Sequence, residues 1–136
     1  MSDGGRRGHR LLGRAAIGVL LAAATLVNHL AWLGWHRERD VGPDGGVSGP
    51  YEAWQIAGLV IVLAILAAFA GWRGHPVIGT LVIGGVMWAS WTLDAATSDD
   101  SGPWAVGALL LFPAAFCGVG LVAWLAASLR RRSTGR

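Results

Sequence analysis

The chain has 136 residues, of which 54% are hydrophobic and 14% are charged, and its formal net charge is +3. Soluble domains contain about 25% charged residues, so this chain has too few to cover a water-facing surface. The apolar content excludes intrinsic disorder, and the single cysteine, Cys117, excludes a disulfide scaffold. The composition therefore predicts a small membrane protein.

Four apolar segments follow one another along the chain, each about as long as the 20 residues that a helix needs to cross a bilayer. They cover residues 11–33, 51–72, 76–96 and 104–129. Their apolar residues run continuously rather than alternating with polar ones, so the segments are predicted to be helices and not strands of a barrel. We predict an all-α, polytopic membrane protein: a bundle of four transmembrane helices over residues 11–129, with Pro113 as a kink in the last helix.

Arginine is the only basic residue besides histidine, and it is distributed unevenly. The arginines of the 1–10 tail, the start of the first helix, the link between the second and third helices and the 130–136 tail lie on one side. That side has nine of the eleven arginines and one acidic residue, a balance of +8, and the other side has a balance of −5. Because positive charge resists translocation, we predict a multi-pass protein of the cytoplasmic (inner) membrane with both termini cytoplasmic.

The N-terminal basic residues allow two other interpretations. Arg6 and Arg7 before an apolar run resemble a signal peptide, in which Ala22 and Ala24 mimic a cleavage site. We predict an uncleaved first helix, because the apolar stretch continues to Trp32. Cleavage would also leave three spans, and the C-terminal arginines would then no longer agree with the orientation that the other arginines predict. Basic chains also bind nucleic acid, but arginines that flank apolar spans indicate the lipid bilayer as partner, and we predict no nucleic acid.

The sequence also indicates an internal repeat of helix pairs. Gly-His opens both pairs, at residues 8–9 and 74–75, and Trp-x-x-Trp-x-x-acid ends the first helix of each, at 32–38 and 88–94. Ser-Gly-Pro-aromatic introduces both second helices, at 48–51 and 101–104. We predict two parallel two-helix repeats; the alternative is that a helix cap and an interfacial aromatic arose twice independently.

Small residues spaced four apart occur in every span and predict close helix packing. These candidate packing residues are Gly18, Ala22, Ala67, Gly71, Gly85, Ala89, Ala114 and Gly118. They predict a homo-oligomer or assembly with a larger membrane protein.

Polar residues at membrane depth are costly to bury and are therefore candidates for function. Those at similar depth on the outer side, together with the deepest tryptophan, define a candidate polar vestibule: Asn28, His29, Glu52, Gln55, Trp88 and Asp94. A histidine near a carboxylate relays protons or binds a cation. The alternative is structural: the carboxylates are solvated near the interface, and Asn28 and His29 form hydrogen bonds between helices.

The sequence contains no nucleophile elbow, Walker loop or HExxH motif. We expect no catalytic residues, no metal site and no cofactor, and Cys117 is predicted to be a packing residue. We predict a non-enzymatic accessory or scaffold subunit that assembles through small-residue helix faces. The alternative is a minimal oligomeric transporter or channel for a cation or proton that uses the outer polar residues.

Overall fold

A computed structural model of the protein contains four α-helices. They are α1 (Asp3–Leu33), α2 (Ala53–Trp72), α3 (Pro76–Ser98) and α4 (Trp104–Thr134). The structure describes residues 3–34, 53–98 and 104–135, and these ranges contain no strand. Each of the four helices is long and apolar enough to cross a membrane. The predicted all-α bundle of four membrane-length helices is thereby confirmed.

Two helices are longer than the sequence predicts. Both α1 and α4 have 31 residues, which corresponds to about 46 Å at the rise of an α-helix, whereas the hydrocarbon core is only about 30 Å thick. The segments predicted as tails, 1–10 and 130–136, are therefore helical from Asp3 and up to Thr134. Extending an existing helix is much easier than starting one, and arginine is a good helix former.

A short turn joins α2 to α3, and its residues explain both helix ends. Gly74 has φ of 81°, the left-handed conformation that glycine adopts without strain. Its N–H donates to the carbonyl of Gly71 at 3.0 Å, and the N–H of His75 donates to the carbonyl of Ala70 at 2.9 Å. This pair of bonds is a Schellman cap. Pro76 then occupies the first position of α3, where its missing N–H costs nothing.

The helices pack as a rhombus rather than a square. α2 and α3 contact each other and both remaining helices, whereas α1 and α4 make no contact with each other through the described residues. α2 and α3 therefore form the centre, with α1 and α4 on opposite sides. We call the end of the bundle with the α2–α3 turn, the start of α1 and the end of α4 the terminal end, and the opposite end the loop end.

Side chains fill the middle of this bundle. The main core cluster joins all four helices and consists of Leu21, Ala67, Ala70, Ile83, Val119 and Ala123. A second cluster of Leu33, Leu59 and Met87 lies nearer the loop end. Many large apolar side chains on all four helices are exposed, far more than a protein surrounded by water presents. The outer surface of the bundle is therefore suited to lipid.

The internal repeat remains a prediction. Both helix pairs place a tryptophan ring against a glycine of the following helix: Trp32 against Gly58, and Trp91 against Gly107. A two-fold axis along the membrane normal would, however, also equate the α2–α3 contact with an α1–α4 contact, and the described residues form only the first.

Candidate functional site

One face of α1 combines its buried apolar residues with its buried polar ones. Leu21, Thr25, Asn28, His29 and Leu33 are all buried, and their spacing places them on one side of the helix. Thr25 is fully buried and donates its hydroxyl to the carbonyl of Leu21 at 2.7 Å. Asn28 and His29 are each 5% exposed. This face turns polar toward the loop end.

A hydrogen bond of Asn28 ties α1 to α2. The side-chain Nδ2 of Asn28 donates to the carbonyl oxygen of Leu59 at 3.2 Å. Gln55, one helical turn nearer the loop end of α2, is 4% exposed. The Oδ1 atom of Asn28 is buried and has no hydrogen-bond partner. Thr25, Asn28, His29 and Gln55 are the buried polar residues of the described ranges, and we call them the polar cluster. Three of them belong to the predicted vestibule, and Thr25 does not.

The remaining predicted vestibule residues lie elsewhere or outside the described ranges. Trp88 belongs to the α3–α4 contact: its Nε1–H donates to the carbonyl of Ala108 at 3.0 Å, and its ring meets Phe112 edge-on at 5.6 Å. Asp94 is half-buried near the loop end of α3. Glu52 lies outside the described residues.

An apolar cleft of about 410 Å³ opens between α2 and α4. α2 and α4 meet closely toward the terminal end, where a Cβ atom on Gly71 would overlap the backbone of Ala123. The cleft lies on the loop-end side of this crossing. The residues of its two walls are Ile56, Leu59, Val60, Leu63 and Ala64 on α2 and Leu111, Ala114, Ala115, Gly118, Val119 and Val122 on α4. Leu33, Met87 and Trp91 complete it, so apolar side chains line the cleft throughout.

The predicted packing residues divide into three groups. Ala67 is fully buried, Gly71 lies against Ala123, and Gly18 faces Val82 of α3 at the distance of an ordinary contact. In contrast, Cβ atoms on Gly85 and Gly118 would have no atom within 4 Å, and Ala114 is exposed. Ala22 and Ala89 are half-buried. Within a single chain, Ala114 and Gly118 of α4 thus leave a contact surface unused.

Other glycines make close contacts that the spacing rule did not select. Cβ atoms on Gly58 and Gly107 would lie 2.5 and 2.6 Å from tryptophan ring atoms, and one on Gly84 would lie 3.2 Å from Phe116. The available signal was a tryptophan at matching depth on the neighbouring helix. Cys117, predicted to be a packing residue, is exposed, because α4 lies at an acute corner of the rhombus and packs through one side only.

Charge divides the two ends of the bundle. All arginines whose side chains are described lie at or toward the terminal end and are exposed: Arg7, Arg10, Arg14, Arg73, Arg130, Arg131 and Arg132. Asp94, the single carboxylate among the described side chains, lies near the loop end. Within the described ranges, no three His, Cys, Asp or Glu side chains come together as a metal site would require.

Four membrane-length apolar helices with a lipid-suited surface indicate a small multi-pass integral membrane protein. Comparison with known proteins gives no match to a protein-family model, a curated protein or a solved structure. A proposal for the function therefore depends on three structural features: the polar cluster, the apolar cleft and the distribution of charge.

Proposed function

We propose that this protein is a non-enzymatic accessory subunit of a bacterial cytoplasmic membrane, and that the α2–α4 cleft receives a transmembrane helix of a larger membrane protein. The observation that carries the proposal is the cleft, because it opens a groove of apolar and small side chains between two membrane-length helices. The absence of lysine and the abundance of alanine and glycine support the bacterial source.

Small residues make the cleft suitable for a helix. Lipid tails are as apolar as leucine, so burial alone does not join helices in a bilayer; close van der Waals packing does. On the α4 wall, Ala114 and Gly118 are four residues apart and therefore neighbours on one face. Neither is covered by the chain's own helices, so a partner helix gains a close backbone approach there.

The polar cluster fits the accessory role as a structural element. The Asn28–Leu59 hydrogen bond fixes α1 against α2, which holds Leu33 in place at the edge of the cleft. Interhelical hydrogen bonds of this kind contribute about 0.6 kcal/mol on average. The cluster thereby positions the helices around the binding groove without taking part in chemistry.

Site-specific photocrosslinking in cells tests the proposal. A photoreactive residue at position 60, an exposed position on the α2 wall of the cleft, is expected to give one adduct much heavier than twice the 14.2 kDa chain, and the substitution Ala114→Leu in the same chain is expected to abolish it by filling the groove. The control is Ala23→Leu, the same change at an exposed position of α1, because α1 makes no described contact with α4. Ala23→Leu should leave the adduct unchanged.

Two results would contradict the accessory role. An adduct at the mass of a dimer would identify a second copy as the occupant and favour an oligomer. Equal loss of the adduct in Ala114→Leu and Ala23→Leu would show that the crosslink does not report on the cleft.

A second candidate function is a minimal oligomeric transporter for a cation or proton. The buried Oδ1 of Asn28, which lacks a hydrogen-bond partner, favours it, since buried polar groups at membrane depth often mark ion pathways. Fully buried Ala67, Ala70 and Ile83 fill the middle of the single bundle, so the pathway would require contact between copies. Proton or cation flux in proteoliposomes that is lost in Asn28→Leu would support this function; no flux above protein-free vesicles would refute it.

The orientation that accompanies the proposal has both termini in the cytoplasm. The arginines described at the terminal end support it, because positive charge is retained on the cytoplasmic side.

A further inference from the structure

A small polar pocket lies at the terminal end of the bundle, separate from the α2–α4 cleft. It has a volume of about 150 Å³ and lies between the α2–α3 turn and the last turns of α4. Gly71, Gly74 and Pro76 line one side, and Arg130, Arg131 and Thr134 line the other. Its position and its two arginines distinguish it from the lipid-facing surface around it.

The spacing of the α4 residues shows that the pocket is built by one helix face. Ala127, Arg130, Arg131 and Thr134 recur at intervals of three, one and three residues, which places them on one side of the helix. One turn before Ala127, Ala123 is fully buried against Gly71. The arginines thus continue the face that packs on α2 and are directed to the turn. Arg132 is on the same helix but does not line the pocket.

The glycine of the turn makes room for one guanidinium group. Nη1 of Arg130 lies 2.9 Å from the place that a Cβ atom on Gly74 would occupy, so a larger residue there would displace the arginine. The third nearby arginine, Arg73, lies with its Cζ 4.9 Å above the ring of Phe69. Among the described side chains, the one carboxylate is that of Asp94 near the opposite end. Arg130 and Arg131 therefore line the same pocket, and no carboxylate among the described side chains lies beside them.

We propose that this pocket binds the phosphate group of an anionic phospholipid. Guanidinium groups match phosphate oxygens with paired, charge-assisted hydrogen bonds. The pocket volume corresponds to about five water molecules at ~30 Å³ each in the liquid, which is enough room for one phosphate group. Basic pockets between membrane helices bind lipid head groups in this way. The exposed apolar side chains of Trp72 and Leu129, adjacent in sequence to Gly71 and Arg130, provide surface for the acyl chains.

Native mass spectrometry of the full chain in neutral detergent, titrated with phosphatidylglycerol at about 0.3 M salt, tests the proposal. Arg130→Gln is expected to weaken binding about tenfold or more, the ordinary effect of losing charge-assisted hydrogen bonds. The matched control Arg132→Gln removes the same charge from the same exposed helix end. It should change affinity less than about twofold, because Arg132 does not line the pocket and salt screens its longer-range attraction to the lipid.

One further probe tests whether the lipid needs a net negative charge, and a second identifies the source of the phosphate. Zwitterionic phosphatidylcholine is expected to bind at least about tenfold more weakly than phosphatidylglycerol, and inorganic phosphate at millimolar concentration is expected not to displace phosphatidylglycerol. Equal losses in Arg130→Gln and Arg132→Gln would overturn the proposal by showing general attraction of an anionic lipid to the basic helix end. Displacement by inorganic phosphate alone would overturn the assignment to a lipid.

Discussion

The crossing of α2 over α4 allows a stability prediction in which two identical substitutions give opposite results. In Gly71→Ala, the new Cβ atom would overlap the carbonyl oxygen of Ala123 and lie 2.8 Å from its carbonyl carbon. In Gly118→Ala, the new Cβ atom would meet nothing within 4 Å. Both changes lie inside membrane-length helices, so both gain the same intrinsic helix stability of about 1 kcal/mol or less.

The difference in the free energy of unfolding follows from these contacts. Overpacking of a tight core costs about 1–3 kcal/mol, and the upper part of this range applies at Gly71 because the obstacle is backbone, which cannot rotate away. We expect Gly71→Ala to lose about 2 kcal/mol net and Gly118→Ala to gain up to about 1 kcal/mol. The two variants should therefore differ by about 3 kcal/mol.

Denaturation in mixed detergent and dodecyl sulfate micelles, followed by circular dichroism and by the fluorescence of the eight tryptophans, measures both values. Equal unfolding free energies for the two variants would refute the close crossing at Gly71. A destabilised Gly118→Ala variant would show that the position is packed against something in the isolated chain, contrary to the open cleft.

Three further outcomes are expected. Asn28→Ala should lower the unfolding free energy by about 0.6–1.7 kcal/mol, the range of interhelical hydrogen bonds in membranes; an unchanged value would mean that the bond to Leu59 does not hold α1. Trp88→Phe keeps an aromatic ring but loses the hydrogen bond to α4, which should cost about 1 kcal/mol, and circular dichroism in dodecyl sulfate would measure the loss. In a cysteine-free background, Ala96→Cys should react with a membrane-impermeant maleimide on intact cells, whereas Thr134→Cys should react only after lysis; the reverse pattern would contradict cytoplasmic termini.

The sequence was sufficient to predict the class of fold, because hydropathy in a membrane protein reflects one dominant constraint. Every backbone polar group in the bilayer must be bonded within the segment, so a long continuous apolar run leaves no alternative to a helix. The ends of α1 and α4 were predicted less well. Hydropathy marks where the bilayer ends, but the helix continues through Arg7 and Arg130 because its backbone bonds do not depend on the lipid.

The candidate sites were only partly predictable. The position of a residue within its apolar segment gives its depth in the membrane, but it does not show which neighbouring helix the side chain faces. Asn28, His29 and Gln55 were selected by depth, and the structure buries all three. Trp88 was selected as the deepest tryptophan, but its Nε1–H donates to the carbonyl of Ala108 of α4, at a different helix contact. The cleft depends on how two helices splay away from their crossing, and a four-residue spacing such as that of Ala114 and Gly118 does not distinguish a filled contact from an open one.

Because α1 and α4 are longer than α2 and α3, they extend beyond the α2–α3 turn at the terminal end of the bundle. Gly18 packs level with the first turns of α3, so α1 continues beyond the α2–α3 turn by about ten residues, roughly 15 Å, and α4 continues by a shorter distance on the far side of the rhombus. The α2–α3 turn thus lies in a depression between the basic ends of α1 and α4. Neither helix end contributes a residue to the core clusters. Shortening α1 at this end would alter the surface charge of the protein while leaving its folding almost untouched, which makes the two properties independently adjustable.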